Sequence, residues 1–173
     1  MADFVDQSTF LSIMGSLASG VTIVATLTDE SQPVGMTCSA ACSVSKEPPL
    51  LLVCIYRESR VLKSILSRRM FTVNVLRDGR QQLSRGFASP ALRDRFASVN
   101  WLPGVRTGLP CLPEDSVAMA ECFVSSAIDA GDHKVIIGGV LAGQVTEDPA
   151  APLMYWRRAY GSWHAADTPL VRS

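Results

Sequence analysis

The stretch from Val21 to Ala40 most narrows what this chain can fold into, because a two-residue alternation runs into a turn and then resumes. Val21, Ile23, Ala25 and Leu27 fall on one side and Thr22, Val24, Thr26 and Thr28 on the other, which predicts a strand over 21–28. Asp29-Glu30-Ser31-Gln32-Pro33 supplies turn chemistry, so residues 34–40 read as the returning arm of a hairpin. Pro48-Pro49 interrupts pairing before Leu50–Tyr56, a continuous apolar run that predicts a strand buried on both faces. Further strands are expected over 71–76, with Asn74 as the one polar member, over 116–126, over 134–145 with a bend or bulge at Gly138-Gly139, and over 153–157.

Helical signal is confined to short pieces. One is capped by Ser8, carries Phe10, Met14 and Leu17 at helical spacing and stops at Gly20; one runs from the cap Ser59 through Leu66; one follows Asp78. Residues 98–113 carry Gly and Pro around Trp101 with no period, which predicts a long ordered surface loop. Many strands joined by hairpins and few short helices argue against a βαβ architecture. They point to a mainly β fold, an antiparallel sheet closing on itself as a small barrel. A length of 173 residues suits one domain over 1–173, with a core at about 10–161 and short tails.

Charge and cysteine usage remove several function classes. Sixteen basic side chains are balanced by sixteen acidic ones, which argues against a nucleic-acid partner. Within that balance Arg outnumbers Lys thirteen to three, and guanidinium forks suit phosphate or carboxylate. Apolar runs are of strand length and the N-terminus lacks the pattern of a secretory signal, so a cytoplasmic protein with no membrane partner is expected. Cys38, Cys42, Cys54, Cys111 and Cys122 form no C-x-x-C and are read as reduced thiols. His133 and His164 lie far in sequence from any cysteine pair, so no metal site is expected. There is neither a G-x-G-x-x-G after a strand nor a P-loop, so any nucleotide must be held another way.

Three stretches can carry chemistry. Residues 35–45 combine small side chains, hydroxyls and main-chain donors that could cradle a planar heterocycle, while spacing alone favours a strand ending in an ordinary Ser-rich loop. Arg57-Glu58-Ser59-Arg60 sets two guanidiniums beside a helix N-terminus, an arrangement suited to phosphate or to a solvated charged face. Arg85 and Arg95, near Phe87 and Phe96, can add cationic contacts. Gly131-Asp132-His133 places an acid beside an imidazole at a strand mouth, where it can orient the ring or simply cap the turn.

The order SGVTIVAT, GMTCSAACSVSKEPPLLLVCIYRESR, FTVNVL, RDRFASVNW, GLPCL, ECFV, AGDHKVIIGGV and PLMYWRRAYG, spanning Phe10 to Gly161, resembles the flavin reductase-like family. These are the FMN-binding split-barrel reductases of two-component flavin-dependent monooxygenases. The resemblance implies an antiparallel split β-barrel and an NAD(P)H:flavin oxidoreductase. Such an enzyme moves a hydride from NADH (or NADPH) to FMN or FAD and supplies diffusible reduced flavin to a monooxygenase partner.

By the same resemblance, Thr37, Cys38, Ser39, Cys42, Ser43 and Val44 would hold the isoalloxazine. Arg57, Ser59, Arg60, Arg95 and Phe96 would lie by the ribityl phosphate, and His133 and Tyr160 would border the nicotinamide. His133 and Asp132 are the expected catalytic pair. Ala41, Cys42 and Tyr56 depart from the residues many members carry there. A homodimer is expected from the resemblance and from the apolar faces a split barrel leaves uncovered. Two alternatives stay open at this point: a split-barrel protein that keeps FMN and reduces a corrinoid or quinone, and a flavin-binding protein without catalysis.

Overall fold

Seven antiparallel strands build the main sheet, in the order β3 (Pro33–Cys38), β2 (Thr22–Leu27), β6 (Met70–Leu76), β9 (Ser116–Ala130), β10 (His133–Val145), β5 (Leu50–Tyr56), β4 (Ala41–Ser45). The structure, a computed structural model, describes residues 3–90, 92, 94–146 and 150–163, so His164 and Arg172 lie outside the described residues. The two edge strands β3 and β4 are consecutive in the chain, yet no ladder joins them, so the sheet curls without closing. The barrel is split rather than closed, which refines the expectation of a sheet closing on itself.

Strand β2 carries the packing. Its burial pattern is continuous from Thr22 to Thr26. Val24 joins Val53, Ile55, Phe71, Val73, Cys122 and Ile136 inside the barrel, where helix α2 (Arg60–Arg68) adds Val61, Leu62 and Ile65. Ile23 and Ala25 join Val21, Leu76, Phe87, Phe96, Leu112 and Leu153 on the opposite side, where helix α3 (Gln81–Ala88) lies. The alternation read from the sequence is thus real, but both of its faces are covered. Leu50–Tyr56 is the reverse case. Only Val53 and Ile55 are buried, and Leu50, Leu51 and Leu52 are half-buried, in keeping with the place of β5 next to the edge of the sheet.

Other expectations shift at the ends of elements. Helix α1 (Gln7–Gly15) is capped by Asp6 rather than Ser8, since the carboxylate accepts from the Thr9 N–H at 2.9 Å and also from the Ser8 and Thr9 hydroxyls. It ends at Ser16, and Gly20 instead pairs with Met154, β1 (Ser19–Gly20) against β11 (Leu153–Trp156). None of the residues of α1 is buried. Its last carbonyls are taken by the Arg157 N–H at 2.9 Å and the Trp156 indole N–H at 3.1 Å. After Trp156 the chain turns through Arg157 and Arg158, both at positive φ (47° and 64°), into β12 (Ala159–Ser162), a strand absent from the sequence reading. Two successive positive φ angles are those of a primed hairpin turn, whose usual Asn-Gly signal is missing here.

Gly138 lies where the β9–β10 register shifts, as expected for a bulge. A Cβ there would meet the Phe71 ring at 2.5 Å, so the glycine lets the buried Phe71 pack directly on the backbone. The 98–113 segment contains a short ladder, β7 (Leu102–Pro103) with β8 (Pro110–Cys111), and is clamped to the sheet by buried polar groups. Asn74 accepts from the Leu112 N–H at 2.9 Å and donates to the Ile23 carbonyl at 3.2 Å, and the Thr72 hydroxyl donates to the Pro110 carbonyl at 2.6 Å.

Buried Glu121 completes the clamp. Its carboxylate accepts from the backbone N–H groups of Arg106 (3.0 Å) and Thr107 (2.7 Å) and from the Thr107 hydroxyl (2.7 Å). Burial pushes this carboxyl up, but these hydrogen bonds outweigh it and hold the group below its ordinary value. A depressed carboxyl stabilises the fold above its unfolded value and loses that contribution as pH falls through the folded one. Glu121→Gln is therefore expected to lower the unfolding free energy at pH 7 by about 1–3 kcal/mol. The deficit relative to wild type should shrink below the ordinary glutamate value of 4.5 as the wild-type carboxyl protonates, read from urea midpoints across the two pH ranges.

Candidate functional site

The gap between β3, the N-terminus of α2 and the end of α3 is a cavity of about 740 Å³. Of the residues singled out from the sequence, Thr37, Ser59, Arg60, Arg95 and Phe96 line it. The fold explains why they meet. Thr37 and Gly35 are on β3, Ser59 caps α2 by accepting from the Val61 N–H at 3.2 Å, and the chain leaving α3 returns along β3 with Arg95 and Phe96. Arg95 fixes that return, donating to the Gly35 carbonyl at 2.8 Å and to the Ser89 carbonyl at 2.7 Å. Phe96 is buried edge-on against Phe87, with ring centres 5.0 Å apart. A Cβ at Gly35 would crowd both rings at 3.0–3.2 Å, so this stretch of β3 can approach the cavity floor only without a side chain.

Electrostatics mark one end of the cavity. The Arg95 guanidinium is held below its ordinary value, first by burial and then by the charge of Arg60. Its Nε is buried and has no hydrogen-bond partner among the described residues. Arg60 is the first residue of α2, whose first turn holds no acidic side chain, so a cation sits where a helix dipole favours an anion. Two guanidiniums, the orphan N–H groups of a helix start and an unpartnered buried donor fit a phosphate group. Glu58 lies on the rim of the same cavity and is exposed.

The other expected residues are placed elsewhere. Cys38 points its thiol into the barrel core, where burial pushes it up to about 11, so only its backbone faces the β3–β4 junction. Ser39, Cys42, Ser43 and Val44 are exposed on and beside β4. As an edge strand, β4 leaves alternate backbone donors and acceptors unpaired by β5.

Arg57 does not join Arg60. Its N–H donates to the Asp132 carbonyl at 3.0 Å, its guanidinium donates to the Gly131 carbonyl at 3.2 Å, and it approaches Asp129 at 3.7 Å, so it braces the β9–β10 turn. A residue that follows β5 by one position pairs across the ladder before it can reach the start of α2. The turn it braces carries Asp132 and His133. Asp132 lies 2.7 Å from Nδ1 of His133, and this contact holds the carboxyl below its ordinary value. His133 pairs with Tyr56 in the ladder and meets its ring edge-on at 5.8 Å, and Tyr56 also lines the cavity.

Tyr160 reaches the site indirectly. Its hydroxyl lies 3.0 Å from the Ser84 hydroxyl, the Ser84 carbonyl accepts from Thr37 at 2.6 Å, and Arg85 lies over its ring at 5.5 Å. Sequence reasoning missed Ser84. Its only signal was position, since it lies three residues from Phe87 on the buried face of α3.

The comparisons with known proteins follow the same lines. The flavin reductase like domain model matches residues 14–164. A flavin reductase (NADH) from Kitasatospora aureofaciens is 56% identical over 165 residues, covering 95% of this chain and 86% of that protein. The reductase subunit HsaB of a flavin-dependent monooxygenase from Mycobacterium tuberculosis is 36% identical over 163 residues, covering 92% of this chain and 84% of that protein. Among solved structures, BorF, the flavin reductase component of a bacterial two-component tryptophan halogenase, superposes with a TM-score of 0.85 at 30% identity, covering 93% of this chain and 100% of that one. With the split barrel and the phosphate-sized basic corner already in place, the match over residues 14–164 means that this chain belongs to the flavin reductase like family.

Proposed function

We propose that the chain is an NAD(P)H:flavin oxidoreductase that passes a hydride from a reduced nicotinamide to FMN or FAD and releases reduced flavin for a monooxygenase. The observation that carries the assignment to this cavity is its basic corner. Arg60 and the unpartnered Nε of Arg95 meet at the start of α2, where a flavin's 5′-phosphate would be held. A bound flavin supplies the hydride acceptor, so the protein's task is to stack two rings in reactive geometry.

The chain's residues divide that task. Thr37 and the free backbone edge of β4 would meet the heterocycle, with main-chain donors near Cys42, Ser43 and Val44 stabilising negative charge that develops on it. His133, oriented through Nδ1 by Asp132, keeps Nε2 for positioning the nicotinamide or delivering a proton, and Arg57 holds the turn on which both sit. Tyr160 backs Thr37 through Ser84 and borders the nicotinamide side.

A second copy of the chain completes the surface. Helix α1 exposes Phe10, Leu11, Ile13 and Met14, and β9 and β10 expose Phe123, Ile128, Leu141 and Val145, large apolar side chains of the kind a partner surface covers. Among the described residues no helix is long and apolar enough to cross a membrane. Five unpaired thiols suit a reducing compartment, so we place the protein in the cytoplasm as a homodimer.

Arg60→Ala is expected to weaken FMN binding at least about tenfold while leaving riboflavin, which lacks the phosphate, unchanged, as read by titration calorimetry; an equal loss for both would place the phosphate elsewhere. His133→Ala should slow NADH-dependent flavin reduction in anaerobic stopped flow by more than about tenfold, and an unaltered rate removes His133 from the reaction. Light scattering at micromolar concentration should give twice the chain mass of 18.6 kDa, and a monomeric mass would contradict the dimer.

A further inference from the structure

Of the five thiols, only that of Cys42 is exposed. Cys38, Cys111 and Cys122 are buried, and burial pushes them up to about 11, 11 and 12, which keeps them protonated and inert. Cys42 sits on the edge strand β4 opposite Leu52 of β5, and Cys54 lies two residues further along β5. Residues two apart on a strand share a face, so Cys42, Leu52 and Cys54 lie on the outer face of this ladder, away from Val53 and Ile55 in the barrel. Cys42 and Cys54 are thus diagonal neighbours across two strands. The half-buried Cys54 thiol is raised above its ordinary value, first by burial and then by the nearby Cys42.

We infer that Cys42 and Cys54 form a peroxide-sensitive dithiol, which closes into a disulfide and loosens flavin binding at β4. The inference rests on the flavin reading of the site, which supplies both the oxidant and the consequence. Reduced flavin that meets dioxygen before a monooxygenase takes it passes on two electrons and two protons, giving hydrogen peroxide. The Cys42 thiolate attacks one peroxide oxygen. The O–O bond breaks, the other oxygen leaves as hydroxide and is protonated to water, and Cys42 becomes a sulfenic acid. The Cys54 thiolate then attacks that sulfur, forming the S–S bond and expelling a second hydroxide, which is protonated in turn. Two thiols lose two electrons, and one peroxide gains them to become two waters.

The effect on flavin follows from strand geometry. Diagonal neighbours stand about 7–8 Å apart, whereas disulfide-linked residues have Cα atoms roughly 5.5–6 Å apart, so closure draws the pair together by about 1–2 Å. Strand β5 is held between β4 and β10, so β4 is the one that gives. It has no ladder on its other side, buries no side chain and changes register between Ser43 and Ser45. The backbone of Cys42, Ser43 and Val44, proposed above to meet the heterocycle, moves with it. Reduced flavin made faster than it is consumed would in this way slow its own production.

The test is to treat the reduced, full-length chain with hydrogen peroxide, map its cysteines by mass spectrometry without reductant, and titrate it with FMN. The intact mass should fall by about 2 Da through a Cys42–Cys54 link. FMN should then bind at least about tenfold more weakly, and dithiothreitol should restore both mass and affinity. Cys54→Ser should bind FMN as the wild type does before treatment, form no link, and leave Cys42 as a sulfenic acid that a 1,3-diketone reagent labels. A Cys42 that stays a thiol, a link joining two copies of the chain, or a Cys42–Cys54 link that leaves the FMN Kd unchanged overturns the inference. The link is read by mass and so needs no bound flavin. A chain that binds FMN but forms no link overturns this inference alone, whereas a reduced chain that binds no flavin overturns the reading beneath it as well.

Discussion

The covering of β2 on both faces is the constraint from which the rest of the architecture follows. A strand with Val24 facing one core and Ile23 and Ala25 facing another cannot form an edge or one side of a solvated sheet. It needs a helix or loop on each side, and the chain provides α2 inside the barrel and α3 with the 98–113 segment outside. Burying α2 in the barrel places its N-terminus at the rim, and laying α3 across β2 and β3 brings its C-terminal end to the same rim. The cavity is the space left where those two helix ends fail to meet over β3. The site's position is therefore a packing result, and its chemistry comes from the residues at the two ends.

That packing relies on a few buried polar groups used as fasteners. Asn74, Thr72 and Glu121 each bond a backbone group of the 102–113 segment, so a loop with little regular structure is fixed against the sheet at three points. A buried polar group with all its partners in place is stabilising, and one left without partners is costly, so such fasteners tolerate little slippage. The result bears on ligand binding. Trp101 and Phe96 stand on or beside this loop, and a groove lined by them keeps its shape only while the loop is held.

What could be read from the sequence follows from how strongly physics marks each element. The β2–β3 hairpin, α2 with its Ser59 cap and the bulge at Gly138 were legible, because period, capping chemistry and glycine pairs are local signals. Strand β4 was not, since an edge strand of Ala, Cys and Ser residues buries nothing and shows no alternation. The β11–β12 hairpin was missed because two arginines occupy its turn in place of the usual small residues. In the site, Ser59, Arg60, Arg95 and Phe96 were legible as residue types, and the structure brings them together. The separation of Arg57 from Arg60 was not, because it depends on which side of the β5–α2 junction each side chain leaves, and that is set by the ladder with β10. Glu121 gave no local signal at all, since its partners lie about fifteen residues away in a loop without period.

The preference for arginine over lysine acquires a different meaning once the partners are known. Arg68 grips the Thr28 carbonyl with two nitrogens at 3.1 and 2.5 Å, and Arg69 donates to the Val124 carbonyl at 2.7 Å. Arg57, Arg80 and Arg95 likewise donate to carbonyls of Gly131, Glu114, Gly35 and Ser89. These carbonyls lie in turns and at element ends, where the backbone lacks a ladder or helical partner of its own. A planar fork with five donors can bridge two such acceptors at once, as Arg95 does between β3 and the end of α3, and a lysine ammonium matches that geometry poorly. Five of the thirteen arginines thus serve the junctions of a split sheet. Arg60 serves differently, since it lines the cavity beside Arg95, whose Nε has no hydrogen-bond partner among the described residues. An arginine-rich chain of zero net charge can therefore bind a phosphate at one point without attracting polyanions in general, because its charges balance overall while Arg60 and Arg95 line one cavity together.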